Sequence, residues 1–212
     1  MNPRTEVLSR IRAANQAARA MPPPIPRNHR RTGTHPAGAP PLLDMLRDRL
    51  TDYRATVIDT DDNNIPAAIA EALHTVDRPV VIPPGLPPTW CPTGIRDTDD
   101  LPPAALDHYA AVITACAAAC AETGTIVLNA AHDQGRRALT LVPDTHICVV
   151  HANQVVQTVP ELLAQVDPLR PLTFISGPSA TSDIELERVE GVHGPRTLVV
   201  LLVAQASSES SD

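Results

Sequence analysis

The chain has 212 residues, a formal net charge of −7, and 43% hydrophobic but only 2% aromatic residues. It therefore suits one domain with a core of Ala, Val, Leu and Ile, and it lacks the stacking platforms of a single-stranded nucleic-acid binder. All 17 basic residues are Arg, which excludes Schiff-base chemistry on Lys and a Walker-A phosphate loop.

Residues 1–40 hold seven Arg against one acid, Glu6, and the remainder holds ten Arg against 23 acids. The acidic body argues against nucleic acid as the main partner. The basic arm is either a docking element or a solvated terminus. Within it, Val7, Leu8, Ile11, Ala14 and Ala18 recur at helical spacing and predict an amphipathic helix over 4–20. Met21 to Pro41, rich in Pro and Gly, reads as an extended linker.

Leu42 to Leu50 reads as a helix, Ala55 to Ile58 as a strand, and Ile65 to Leu73 as a helix with Pro66 in its first turn. A short strand at Pro79 to Ile82 runs into Pro83–Pro88, a stiff loop that is either the border of a site or a surface spacer. Past residue 108, β-type runs come at Val112 to Thr114, Thr125 to Leu128, Ile147 to Val150, Leu172 to Ile175 and Thr197 to Val203. Helical segments are expected at Pro160 to Gln165 and Asp183 to Val189. This alternation predicts an α/β fold with a mostly parallel sheet, and the wholly apolar closing run is expected to be a central strand buried on both faces.

The four cysteines, Cys91, Cys116, Cys120 and Cys148, contain no C-x2-C pair. A reducing, cytoplasmic compartment is expected. Cys116 and Cys120 are spaced to share one helix face as buried small hydrophobes, and they lack the thiolate grouping of an iron–sulfur site. The eight His form no metal-binding spacing, so no metal site is expected. No run reaches the roughly 18 apolar residues of a membrane span, and the N-terminus has no apolar signal core. Its Arg-rich, acid-poor character superficially resembles an organellar transit peptide.

Three polar clusters are the candidate chemistry, expected at the carboxyl ends of strands, where open α/β sheets bind ligands. In the first, Ala121-Glu122-Thr123-Gly124-Thr125, Gly124 supplies a tight turn. Glu122 is either a general base or nucleophile, or a carboxylate holding loop N–H groups. The second runs from Ile175 through Ser176, Gly177, Pro178 and Ser179 to Thr181, Asp183, Ile184 and Glu185. Ser182 and Glu185 have the spacing of a capping box, so the hydroxyls suit either an anion at a helix N-terminus or the cap alone. The third, Gly191-Val192-His193-Gly194-Pro195-Arg196, presents a proton-exchanging imidazole and a carboxylate-gripping guanidinium. Its alternative is a closed turn with Arg196 paired to a structural acid.

Taken together and in this order, the three clusters resemble the LUD domain of the lactate utilization protein C family, closely from about residue 110 to 203 and loosely before. The Arg4 to Arg12 helix resembles the start of that family, which lowers the transit-peptide reading. The resemblance implies a bacterial protein with a three-layer α/β fold, mostly parallel, of the sugar-isomerase/CoA-transferase-like type. It divides the chain into an N-terminal helix and linker (1–41), a LUD domain (42–206) and a polar tail (207–212).

It also implies a non-redox subunit of an L-lactate-oxidising complex, partnered by lactate utilization proteins A and B. Those partners carry the iron–sulfur clusters, and this chain binds no cofactor itself. A small-anion pocket is expected from Thr123, Gly124, Thr125, Ser176, Gly177, Ser179, Thr181, Asp183, Glu185, Gly194 and Arg196, with Glu122 and His193 as candidate catalytic groups. The alternative is a stand-alone acyl- or CoA-transferase-like enzyme with Glu122 as nucleophile. Where this family usually carries a basic residue the chain has Ala180, so the anion grip at that loop is expected to be weaker or supplied by Arg196.

Overall fold

The computed structural model describes residues 2–18, 24–74, 76–98, 101–182, 188–190 and 194–204. The chain divides into two units, Met1–Arg30 and Arg31–Asp212. The first holds helix α1 (Pro3–Ala18), where Arg10 pairs with Glu6 one turn earlier at 2.7 Å and Val7 and Ile11 are exposed.

The second unit opens with α2 (Pro40–Asp52), whose first turn tolerates two prolines because its N–H groups have no helical partner. Leu42, Leu46 and Leu50 form its buried stripe. Next come β1 (Thr56–Asp61), α3 (Ile65–Ala72), β2 (Val80–Ile82), β3 (Ile95–Arg96), β4 (Ala111–Thr114), β5 (Ala118–Cys120) and β6 (Thr125–Leu128). Then follow β7 (Thr145–His151), β8 (Val155–Val156), α4 (Val159–Ala164), β9 (Thr173–Ile175), β10 (Ala180–Ser182), β11 (Arg188–Glu190) and β12 (Thr197–Ala204).

Six strands form one sheet in the order β1-β12-β7-β4-β2-β3, with every pairing parallel. As expected, this is an α/β protein, and the closing run is its buried central strand. Leu198 through Val203 are all buried between β1 and β7. Because alternate residues of a strand point to opposite faces, each face can be assigned. Cys148, Val150, Leu198, Val200 and Leu202 pack with the α2 leucines. Ile147, Val149, Val199, Leu201 and Val203 pack with Ile65 and Ile69 of α3.

A second sheet, β8-β5-β6-β9, lies on the α2 side, where Ala119, Ile126 and Val155 share the core with that helix. Its β5–β6 and β6–β9 pairings are antiparallel. Thus two of the expected strands, Thr125–Leu128 and Thr173–Ile175, belong to this smaller mixed sheet.

Two local expectations are corrected. Cys116 and Cys120 do not share a helix. Cys120 ends β5, and the two thiols enter different core clusters. The helix expected at 183–189 is also overturned where it is described. Arg188–Glu190 is a strand pairing antiparallel with Ala180–Ser182, so residues 188 and 189 are not helical. Residues 183–187 lie outside the described residues.

The end of the supposed linker is tied down. Gln157 Oε1 accepts from the backbone N–H groups of Thr34 and His35 at 2.7 and 3.2 Å, and Gly38 N–H donates to Val155 O at 2.9 Å. Among the described residues no helix is long and apolar enough to cross a membrane.

Candidate functional site

The first cluster forms the β5–β6 hairpin turn. Gly124 has φ +60°, and a Cβ there would lie 2.7 Å from Arg49 Cβ, so the turn needs glycine to fit beneath the end of α2. Glu122 accepts from Gln157 Nε2 at 3.1 Å, and its own N–H donates to Gln157 O at 3.2 Å. Through Gln157 it supports the Thr34–His35 backbone.

Thr123 Oγ1 donates to Thr125 Oγ1 at 2.8 Å, and Thr125 Oγ1 stands 2.9 Å from Ser176 Oγ. This hydroxyl chain joins the first cluster to the second. Ser176 follows β9, and Gly177 (φ +82°) passes against Tyr53, where any Cβ would lie 2.5 Å from the Tyr53 Cβ. Ser179 N–H donates to Pro195 O at 2.8 Å, bringing the third cluster alongside.

Between these loops and the main sheet lies a cavity of about 220 Å³, bordered by Ser176, Ser179, Gly194, Arg137, Thr173 and His146. His146 and Leu198 are the second residues of β7 and β12. The cavity therefore sits at the amino edge of the parallel sheet, not at the carboxyl edge that its topology leads one to expect. The carboxyl end of β9 brings the Ser176 loop to that edge.

His146 is 2% exposed, and burial pushes it down to about 4, so it is neutral near pH 7. Its Nε2 lies 2.8 Å from Thr114 Oγ1. Arg137 is exposed at the mouth, with Nη1 donating to Thr173 Oγ1 at 2.5 Å.

Arg196 does not border this cavity. It grips Asp144 bidentately at 2.5 and 2.9 Å. Among the described residues, the guanidinium at the cavity is that of Arg137.

The LUD domain family model matches residues 104–203. A lactate utilization protein C from Deinococcus radiodurans is 47% identical over 208 residues, covering 93% of this chain and 94% of that protein. The chain belongs to the lactate utilization protein C family. The Bacillus subtilis lactate utilization protein C is 35% identical over 95 residues, 40% of this chain and 38% of that protein. A crystal structure of a DUF162 family protein from Deinococcus radiodurans matches with TM-score 0.65 and 42% identity, covering 77% of this chain and 96% of that one.

Of the residues that the family resemblance singled out, the cavity gathers Ser176, Gly177, Ser179 and Gly194 at its wall. Thr123 and Thr125 stand behind Ser176, Gly124 shapes the turn, and Glu122 is bonded to Gln157. Thr181 is placed only as a residue of β10, where Ala180 also lies. Asp183, Glu185 and His193 lie outside the described residues.

Arg137 and His146 escaped sequence reasoning because nothing local marks either one. Arg137 starts a short 3₁₀ turn (Arg137–Thr140), and His146 stands next to the apolar run Ile147–Val150 of β7. At the carboxyl edge a second cleft, also of about 220 Å³, is bordered by Asp62, His151 and Asn153, with His151 Nδ1 3.4 Å from Asp62 Oδ1 and the Trp90 ring 6.1 Å from the imidazole. All four cysteines are buried.

Proposed function

We propose that this chain serves L-lactate oxidation as a non-redox, cytoplasmic subunit, in a complex with lactate utilization proteins A and B whose iron–sulfur clusters carry the electrons. Near-full-length identity of 47% to a lactate utilization protein C carries this reading. The cavity at the amino edge supports a small-anion site within that subunit, since it combines a guanidinium, two serine hydroxyls and a neutral imidazole. Acyl transfer through Glu122 is the weaker alternative, because that carboxylate is engaged with Gln157 and does not border the cavity.

A tagged copy pulled down from its native host grown on lactate tests the proposal. Recovery of iron–sulfur proteins, with lactate-dependent reduction of a dye by the eluate, is the expected result. A solitary chain, or a purified chain that oxidises lactate unaided, would overturn it.

A further inference from the structure

The cleft at the carboxyl edge of the main sheet is made by the way three neighbouring strands are connected. From β1 the chain runs to α3, which packs on the face of Ile147, Val149 and Val199. From β7 it runs through a 3₁₀ turn (Ala152–Gln154) to β8, whose Val155 packs on the opposite face with Val150 and the α2 leucines. Between β1 and β7 lies β12. The two exits part around its end, and the cleft opens over Val203 and Ala204, with Asp62 on one side and His151 and Asn153 on the other. Such a parting of connections is where open parallel sheets take ligands. The neighbouring carboxylates there divide their tasks. Asp61 serves its own turn: Oδ1 accepts from the N–H groups of Asn63 and Asn64 at 2.9 and 3.1 Å, and Oδ2 accepts from Asn64 Nδ2 at 2.8 Å. Asp62 borders the cleft, and its Oδ1 faces His151 Nδ1 at 3.4 Å, longer than an ordinary hydrogen bond. Asp62 Oδ2 and the Asn153 side chain have no hydrogen-bond partner among the described residues.

We propose that this cleft binds a small primary ammonium ligand, with Asp62 Oδ2 as its counter-charge and the Asn153 side-chain carbonyl as a second acceptor. The inference goes beyond the lactate-oxidation reading and does not rest on it. Charge sets the sign. Among the described residues, the cleft is bordered by a carboxylate and no guanidinium, the reverse of the amino-edge cavity with its Arg137. Donor geometry sets the kind of cation. A guanidinium grips a carboxylate best as a fork on both oxygens, and here Oδ1 already faces an imidazole. An ammonium is a compact point charge with three separate donors, so one carboxylate oxygen and one amide oxygen suit it. Size limits the rest of the ligand, because about 220 Å³ falls below the roughly 300–1,000 Å³ of sites for drug-sized molecules. The source is external. All 17 basic side chains of this protein are Arg, so apart from its N-terminal amine the chain has no ammonium to place there.

Trp90 is the single Trp of the chain and its ring stands 6.1 Å from that of His151, so tryptophan fluorescence of the full-length protein reports on this cleft. Titration with ethylammonium at constant ionic strength, in mildly alkaline buffer, should change the emission saturably. It should also shift the His151 ring resonances in ¹³C-histidine NMR, assigned by their loss in His151→Gln. Tetramethylammonium, which keeps the charge but has no N–H donor, and methylguanidinium should each bind at least tenfold more weakly. Acetate and glycerol should produce no saturable change. Asp62→Asn, at a side chain 57% exposed and checked for folding by urea midpoint, should weaken ethylammonium at least tenfold. No saturable change in either readout, binding of tetramethylammonium, methylguanidinium, acetate or glycerol as tight as that of ethylammonium, or undiminished binding by Asp62→Asn would each overturn the proposal. The ligand series needs no variant, so a misfolded Asp62→Asn would not blunt the test.

Discussion

His146 shows how much one side chain's chemistry depends on where the fold puts it. An imidazole in an unfolded chain titrates near 6.5, whereas burial pushes this one down to about 4. Between those values the unfolded chain takes up a proton that the folded chain refuses. Stability is therefore complete above about pH 6.5 and falls as the pH drops toward 4, by on the order of 3 kcal/mol from this residue. Urea melts of the wild type and His146→Gln at pH 7 and pH 4 measure its share. The variant should lose less on acidification, and equal losses would assign the slope to other groups. Gly177 is a second single-residue test. With φ +82° and Tyr53 Cβ 2.5 Å from any added Cβ, Gly177→Ala is expected to cost about 1–3 kcal/mol in denaturant titration. A cost below about 0.5 kcal/mol would mean that the end of α2 can yield. The Ser-Gly-Pro-Ser loop was readable in the sequence because its glycine and hydroxyls are contiguous. Arg137 and Thr173 are 36 residues apart, and no sequence pattern announced that they meet.

At the level of elements, local pattern succeeded where burial is periodic and failed where pairing decided. Leucines four apart made α2, and the apolar run at Leu198 made β12. Ala118-Ala119-Cys120 has weak strand propensity and stands in an alanine-rich stretch, yet it is a fully buried strand because β6 and β8 flank it. Arg188–Glu190 took a strand partner over the helix that its upstream Ser-x-x-Glu spacing favoured. A further link between elements positions the cavity. Arg136 donates to Asp97, just past β3, at 2.7 and 2.9 Å and to Leu101 O at 2.6 Å, pinning the turn that presents Arg137. The Asp97 side chain is 3% exposed and that of Arg136 26%. Removing the carboxylate by Asp97→Ala leaves a partly buried cation without it, at an expected cost of about 3–5 kcal/mol. Thermal and urea unfolding measure the cost, and weaker small-anion binding should accompany it. A loss confined to binding would mean that the pair orients Arg137 without supporting the fold.

Across the whole molecule, the two faces of the main sheet were determined by alternation within each strand, since neighbouring residues must point to opposite sides. The α/β class followed from strands alternating with helices, and family membership followed from three motifs in fixed order. Strand order, the separate mixed sheet and the edge that holds the cavity depend on contacts between residues far apart in the chain, which no local period encodes. Topology alone pointed to the carboxyl edge, where one cleft does lie, and the cavity walled by the Ser176 loop lies at the amino edge because β9 of the second sheet brings that loop there. The sequence by itself thus determined the class, the core-facing residues and the loop that walls the site. Tertiary structure alone decided that Arg137 and His146 join that loop, because their meeting is a matter of packing between elements.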